Sequence, residues 1–346
     1  MATEVIHIID PSNAPGTDYT SLSAWESAQR RNLVSLDEIA IAECRGGRDA
    51  VFGAWYINSG WTTGPNNYII VRNHSSEQNL GYFDSNKYYL DYNNSSDVIQ
   101  IELANFHIEG IQIKNSSSTV ATCLSFFEAS GLGAVDWRFN NCFFWNLQGN
   151  ISVGFGAVRT AGGSITALNN MICSTTASSN GIFLNDNYGN QTNLYIANNS
   201  IYTDSYGIRV YQNLGGFNNQ YFRNNIVGDA STPYYPLEGT VSRWVDNDDN
   251  NDYNFNTDTD NCNVLGSHGA GSATINFTNT TNANLIPLST STSILKMGQN
   301  LNNFSSYPQF VKDILSKDIA GNSRGSYWDA GAYQFSKSKN KYYMML

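Results

Sequence analysis

The amino-acid sequence predicts an all-β fold, a right-handed parallel β-helix (solenoid) with an N-terminal capping helix, and three observations predict it. An Asn-Asn pair returns after an aromatic or apolar run at Asn140/Asn141, Asn169/Asn170, Asn198/Asn199, Asn224/Asn225 and Asn250/Asn251, in steps of 29, 29, 26 and 26 residues. Gly156, Gly181 and Gly207 each precede a short apolar run and step by 25 and 26. A fixed period of that size marks a solenoid. The runs between markers are about four to six residues long, too short for a helical repeat, which needs ~10–12 residues per helix. Their Ile, Val, Phe and Tyr suit a pleated surface. Asn93/Asn94 and Asn218/Asn219 fall outside the series, so it is two markers sharing one period that point to stacked coils.

Coils stacked ~4.8 Å apart pair each strand with its copies above and below, and their inward side chains merge into one core. Asn tolerates the left-handed conformation at a corner and can hydrogen-bond the next Asn in the stack. A structural role is therefore expected for Asn141, Asn170, Asn199, Asn225 and Asn251.

Residues 1–52 read as an N-terminal strand and helix cap. Val5, Ile6, Ile8 and Ile9 form a first strand, ended by Asp10-Pro11 and Pro15-Gly16. Ser23-Ala24-Trp25-Glu26 has the form of a capping box and opens a helix through about Arg31, the one helix the sequence argues for. Ile39, Ile41 and Cys44 follow as an alternating strand. A helix ahead of the first coil covers the open end of the core and its unpaired strand edge.

Residues 53–261 are the coils. Strands are expected at Tyr68–Val71, Tyr88–Asp91, Val98–Ile101 and Phe106–Ile113, and the connection from Ser75 to Asn86 projects from one face. The stretch from Asp246 to Asp260 carries six Asp, but no Gly and closing Glu stand where a calcium loop needs them. It reads as a solvated corner. Residues 262–346 form a closing segment and tail.

Composition limits function. Charged residues make up 14% of the 346, below the roughly 25% usual for soluble domains, so the surface is built of amides, hydroxyls and rings. A net charge of −10 excludes nucleic acid as a partner, because a phosphate backbone needs a basic face. The basic residues cluster only at Lys337, Lys339 and Lys341. Without an apolar run of ~18 residues no membrane span is expected. The five Cys lack metal spacing and read as free, buried thiols, so no metal and no cofactor is expected. The first residues, Met-Ala-Thr-Glu-Val-Ile-His, have neither a basic region nor an apolar run of signal-peptide form, which suits a particle assembled inside a cell and released by lysis.

Two phrases carry a family resemblance. Asp318-Ile319-Ala320-Gly321-Asn322-Ser323-Arg324 followed by Asp329-Ala330-Gly331-Ala332-Tyr333-Gln334 resembles the closing segment of pectate-lyase-like parallel β-helix repeat proteins of bacteria and bacteriophages. Ala330 and Gln334 depart from the pattern. Asp18-Tyr19-Thr20-Ser21-Leu22-Ser23-Ala24-Trp25-Glu26 is similar to the start of β-helix proteins in phage genomes. The resemblance implies the fold; the family includes lyases, hydrolases and inert shafts. In the closing motif, Arg324 is expected to pair with a carboxylate, Asp329 or Asp318, while Gly331 lets the final turn approach the last coil.

A lyase needs a basic residue near acidic groups on adjacent coils. Arg209 and Arg223, with Asp186 and Asp204, are the weak candidates. Aligning on the glycines sets Arg209 beside Phe183 and Val158, which points it inward or marks a break in register. A glycoside hydrolase needs two carboxylates roughly 5–9.5 Å apart, and Asp186, Asp204, Asp229 and Glu128 are the acids available. Trp137, Trp145, Tyr188 and Tyr211 are candidates for glycan contact, against a core or interface role. The four His lie in no nucleophile motif.

The expectation is a non-enzymatic bacteriophage virion surface protein, a capsid decoration or tail-associated spike. Its partners would be itself as a homotrimer, other virion proteins and cell-surface polysaccharide. The alternative is a secreted or tail-associated polysaccharide lyase or hydrolase.

Overall fold

The structure is a computed structural model. It describes residues 2–51, 55–58, 60–92, 99–116, 122–127, 134–146, 151–156, 162–174, 179–186, 192–212, 219–228, 230, 232–235, 251–252, 255–256, 273, 275–291, 294, 297–305, 307–326 and 328–334.

Three parallel sheets wrap one core, as a right-handed parallel β-helix requires. The first face holds Thr3–Ile9, Glu38–Cys44, Ile69–Asn73, Asn105–Glu109, Val135–Asn140, Gly163–Leu168, Asn193–Ala197, Asn219–Arg223 and Asn251–Asp252. The second holds Arg48–Val51, Tyr89–Tyr92, Gln112–Asn115, Phe143–Asn146, Met171–Ser174, Ser200–Tyr202, Ile226–Gly228 and Phe255–Asn256. The third holds Trp55–Ile57, Ile99–Ile101, Thr122–Phe127, Ile151–Gly156, Asn180–Asp186, Tyr206–Gln212 and Thr232–Tyr235. Alternation sends every second side chain inward. Phe106, Trp137, Ile165 and Leu194 thus stack as one column on the first face, and Ile108, Phe139, Ala167 and Ile196 as a second. The Ile, Leu and Phe side chains among them contribute roughly 1.5–3 kcal/mol each when fully buried.

Register on the first face runs Glu43, Arg72, Glu109, Asn140, Leu168, Ala197, Arg223, Asp252. The residues that follow make the corner, and Gly110, Asn141, Asn169, Asn198 and Asn224 all take positive φ there. The next position carries a side-chain ladder. Asn170 Nδ2 donates to Asn199 Oδ1 at 2.9 Å, and Asn199 Nδ2 donates to Asn225 Oδ1 at 2.9 Å. In the left-handed column Asn169 Nδ2 also donates to Asn141 Oδ1 at 3.2 Å, so one Asn can serve both purposes; they are divided between neighbours at Asn198 and Asn199. Asn141 belongs to the left-handed column, one place off the column of Asn170, Asn199 and Asn225. Asn251 is a correction: it lies within a strand opposite Phe222, because that coil is 29 residues long from Phe222 to Asn251 and the corner falls later.

The glycine series is corrected similarly. Gly181 and Gly207 share a register, but Gly156 pairs with Phe127, and Phe183 lies opposite Gly154. Val158 lies outside the described residues.

At the N-terminal end, helix α1 (Leu22–Gln29) and helix α2 (Leu33–Leu36) are inserted between the first two strands of the first face. Leu22, Trp25 and Leu33 join Ile9 in the core, so these helices close its open end. The residue capping α1 is Ser21, whose side chain accepts from Ala24 N at 3.1 Å, not Ser23. Glu26 is instead buried, bonded to Trp61 Nε1 at 3.2 Å and paired with Arg30 at 2.8 Å. Beyond α2, Ala40, Ala42 and Cys44 face the core, which leaves Ile39 and Ile41 on the outer side. Parallel pairing runs from Thr3–Ile9 to Glu38–Cys44 and on to Ile69–Asn73.

The closing segment runs back along the outside of the first two faces. Leu301, Tyr307, Val311 and Leu315, the last two on helix α3 (Gln309–Leu315), pack with Trp328 on Leu168, Tyr195, Ala197 and Tyr221. Ala283, Leu285, Ile319 and Ala332 cover Phe143, Met171 and Cys173. Corner asparagines clasp it: Asn169 Nδ2 donates to the carbonyls of Ile314 and Lys317, and Asn224 Nδ2 donates to that of Gln299.

Among the described residues Arg324 bonds carbonyl oxygens rather than a carboxylate, which corrects the bidentate expectation. Its guanidinium donates to the backbone carbonyls of Asp329, Gly331 and Ala332 at 3.1, 2.8 and 3.1 Å, and to Gln334 Oε1 at 3.3 Å. Burial lowers its pKa to about 10, against the nearby charges of Asp318 and Asp329. Gln334 Nε2 takes the Asp329 carboxylate at 3.0 Å. Gly331, at φ +88, donates its N–H to Asn224 O at 2.7 Å, and a Cβ there would lie 2.7 Å from Ser200 Oγ.

Cys44, Cys142 and Cys173 are free and buried, Cys123 is buried, and Cys262 lies outside the described residues. Burial pushes the Cys142 and Cys173 thiols up to about 12, which keeps them protonated and unreactive. The described residues include no group of side chains fit to hold a metal ion. Of the six Asp from Asp246 to Asp260 only Asp252 is among the described residues, as a strand residue.

Candidate ligand-binding face

With the described part of the closing segment lying on the first two faces, the third is the face to consider for a ligand. Register sets one outward row across it: Tyr56, Gln100, Ser125, Phe183 and Arg209, with Gly154 and Tyr235 at the matching backbone positions. Ile182 and Leu184, on either side of Phe183, are fully buried in the core, as are Ile208 and Val210 beside Arg209. Arg209 therefore points outward in regular register, which corrects the inward or broken reading. Its guanidinium carbon sits 5.3 Å from the Phe183 ring centre and 4.8 Å from that of Tyr206. Resting on rings orders the planar donor fork.

The acidic candidates do not converge. Asp204 is exposed at the corner before Tyr206, where Oδ1 accepts from Ser179 Oγ at 3.1 Å. Asp186 lies opposite Gln212, at the far end of the same strand pair. Six residues of strand at ~3.3 Å each separate the ends by roughly 20 Å, well beyond the ~9.5 Å limit for a hydrolase pair. Asp186 and Asp204 thus cannot act together as one such pair. Tyr211 is placed opposite Asn185 on this face. Tyr188, Asp229 and Glu128 lie outside the described residues.

The remaining candidates lie elsewhere. Arg223 is on the first face, 2% exposed, with its guanidinium 4.0 Å from the Phe304 ring centre and bonded to Gln299 of the closing segment. It shares no site with Arg209. Trp137 is wholly buried, its Nε1 donating to Leu103 O at 2.6 Å, which removes it as a glycan contact. Trp145 is on the second face, packed on Phe83, with the Lys114 ammonium 5.0 Å above its ring.

Sequence reasoning missed one polar cluster. On the first face, Asp136 takes both Nε and Nη2 of Arg138, at 2.8 and 2.5 Å, and lies 3.1 Å from His107 Nε2. Burial alone would raise the Asp136 pKa, but hydrogen bonds from His107 and Arg138 carry it well below the carboxylate range. Burial lowers that of His107, with Asp136 opposing. At 2% exposure His107 is out of reach of a substrate, and the cluster ties coils together. Its signal was the coil spacing: His107 and Arg138 occupy one register.

No family model matches this chain, and no curated protein matches it. Among solved structures it is similar to pectate lyase Pel9A, at 12% identity over 96% of this chain and 97% of that one, with a TM-score of 0.34. At that level the similarity says nothing about what this chain binds.

Proposed function

We propose that the third face binds an extended polysaccharide and that the chain is a non-enzymatic surface protein. The observation that carries this reading is Arg209, outward and seated on the Phe183 and Tyr206 rings, on a face other than the two that the described part of the closing segment covers. An aromatic platform with an ordered fork of donors suits a sugar ring and its hydroxyl or carboxylate groups. A chain ligand lying along the stack meets one coil every ~4.8 Å. The wide separation of Asp186 and Asp204 favours binding over hydrolysis by that pair. As its setting we propose a bacteriophage particle, where it would serve as a homotrimeric capsid decoration or tail-associated spike. This part rests on the resemblance of the two terminal phrases.

Affinity electrophoresis against bacterial envelope polysaccharides tests the reading. At least one should retard the protein, and Arg209→Ala should weaken retardation about ten-fold, as loss of a charged hydrogen bond implies. Release of oligosaccharide from that polysaccharide would replace the binding role with a lyase or hydrolase, with Arg209 and Asp186 the residues to test. Light scattering that returns a monomer would remove the trimer.

A further inference from the structure

We draw no further inference here: the strongest candidate, the outer edge of the strand Thr3–Ile9 at the N-terminal end of the first face, where the exposed Glu4 and Ile6 lack a neighbouring strand among the described residues, carries nothing because nothing in the structure shows what covers it.

Discussion

At the residue scale, the corner divides labour between two adjacent asparagines. Asn198 is kept for its backbone: it takes φ +56, and both polar atoms of its buried side chain lack a hydrogen-bond partner. Asn199 is kept for its side chain, which bonds Ala167 O and Asn225 Oδ1 and accepts from Asn170 N and Nδ2. Asn198→Gly should therefore leave the urea midpoint unchanged or raise it, since glycine adopts positive φ freely and the orphan amide disappears. Asn199→Ala should cost about 3 kcal/mol or more, because buried partners left bare cost ~1–3 kcal/mol each. Equal losses in the two variants would refute the division. From the sequence, both residues looked like one repeated pair; only the register separates them.

At the element scale, the closing segment acts as a strap over two faces rather than a plug at one end. The cause is visible in the outer rows. Leu168, Ala197 and Met171 are apolar and face outward, so a bare stack would expose them. Trp328→Ala removes a wholly buried ring from this contact and should cost ~3–5 kcal/mol, measured by urea denaturation. Arg324→Lys keeps the charge but loses the planar fork that reaches three backbone carbonyls; at least one is then orphaned, at ~1–3 kcal/mol. A Lys variant as stable as the parent would show that charge alone holds the segment. The closing motif was legible in sequence and its role was not, because Arg324 was matched to the acids Asp318 and Asp329 when its partners are carbonyls that carry no sequence signal.

At the scale of the whole molecule, stability should depend on acid through the His107 and Asp136 cluster. Burial holds His107 below its ordinary 6.5, so an unfolded chain takes up a proton that the folded one refuses. Stability is then full above about 6.5 and falls as pH drops below it towards the folded value. Asp136, held low by its partners, adds a second loss once pH falls below about 3.8. Thermal midpoints at successive pH values should show the upper step in the parent and a flatter curve in His107→Gln. His7, also lowered by burial but more exposed, leaves a residual slope. An unchanged step in the variant would place the proton uptake elsewhere.

What the sequence determined by itself was the period, the strand runs, the capped end and the fold they imply. Those are local properties: an apolar alternation or a helix start is readable within a few residues. Tertiary structure alone decided which coil position each residue occupies, and small offsets there have large effects. Coils of unequal length moved Asn251 from a corner into a strand and set Arg209 opposite Phe183 and Gly154 rather than Val158. One residue of register reverses the direction of a side chain. Contacts between segments far apart in the chain, such as Gln78 with Ala320 or Asn169 with Lys317, exist only after the stack has brought them together.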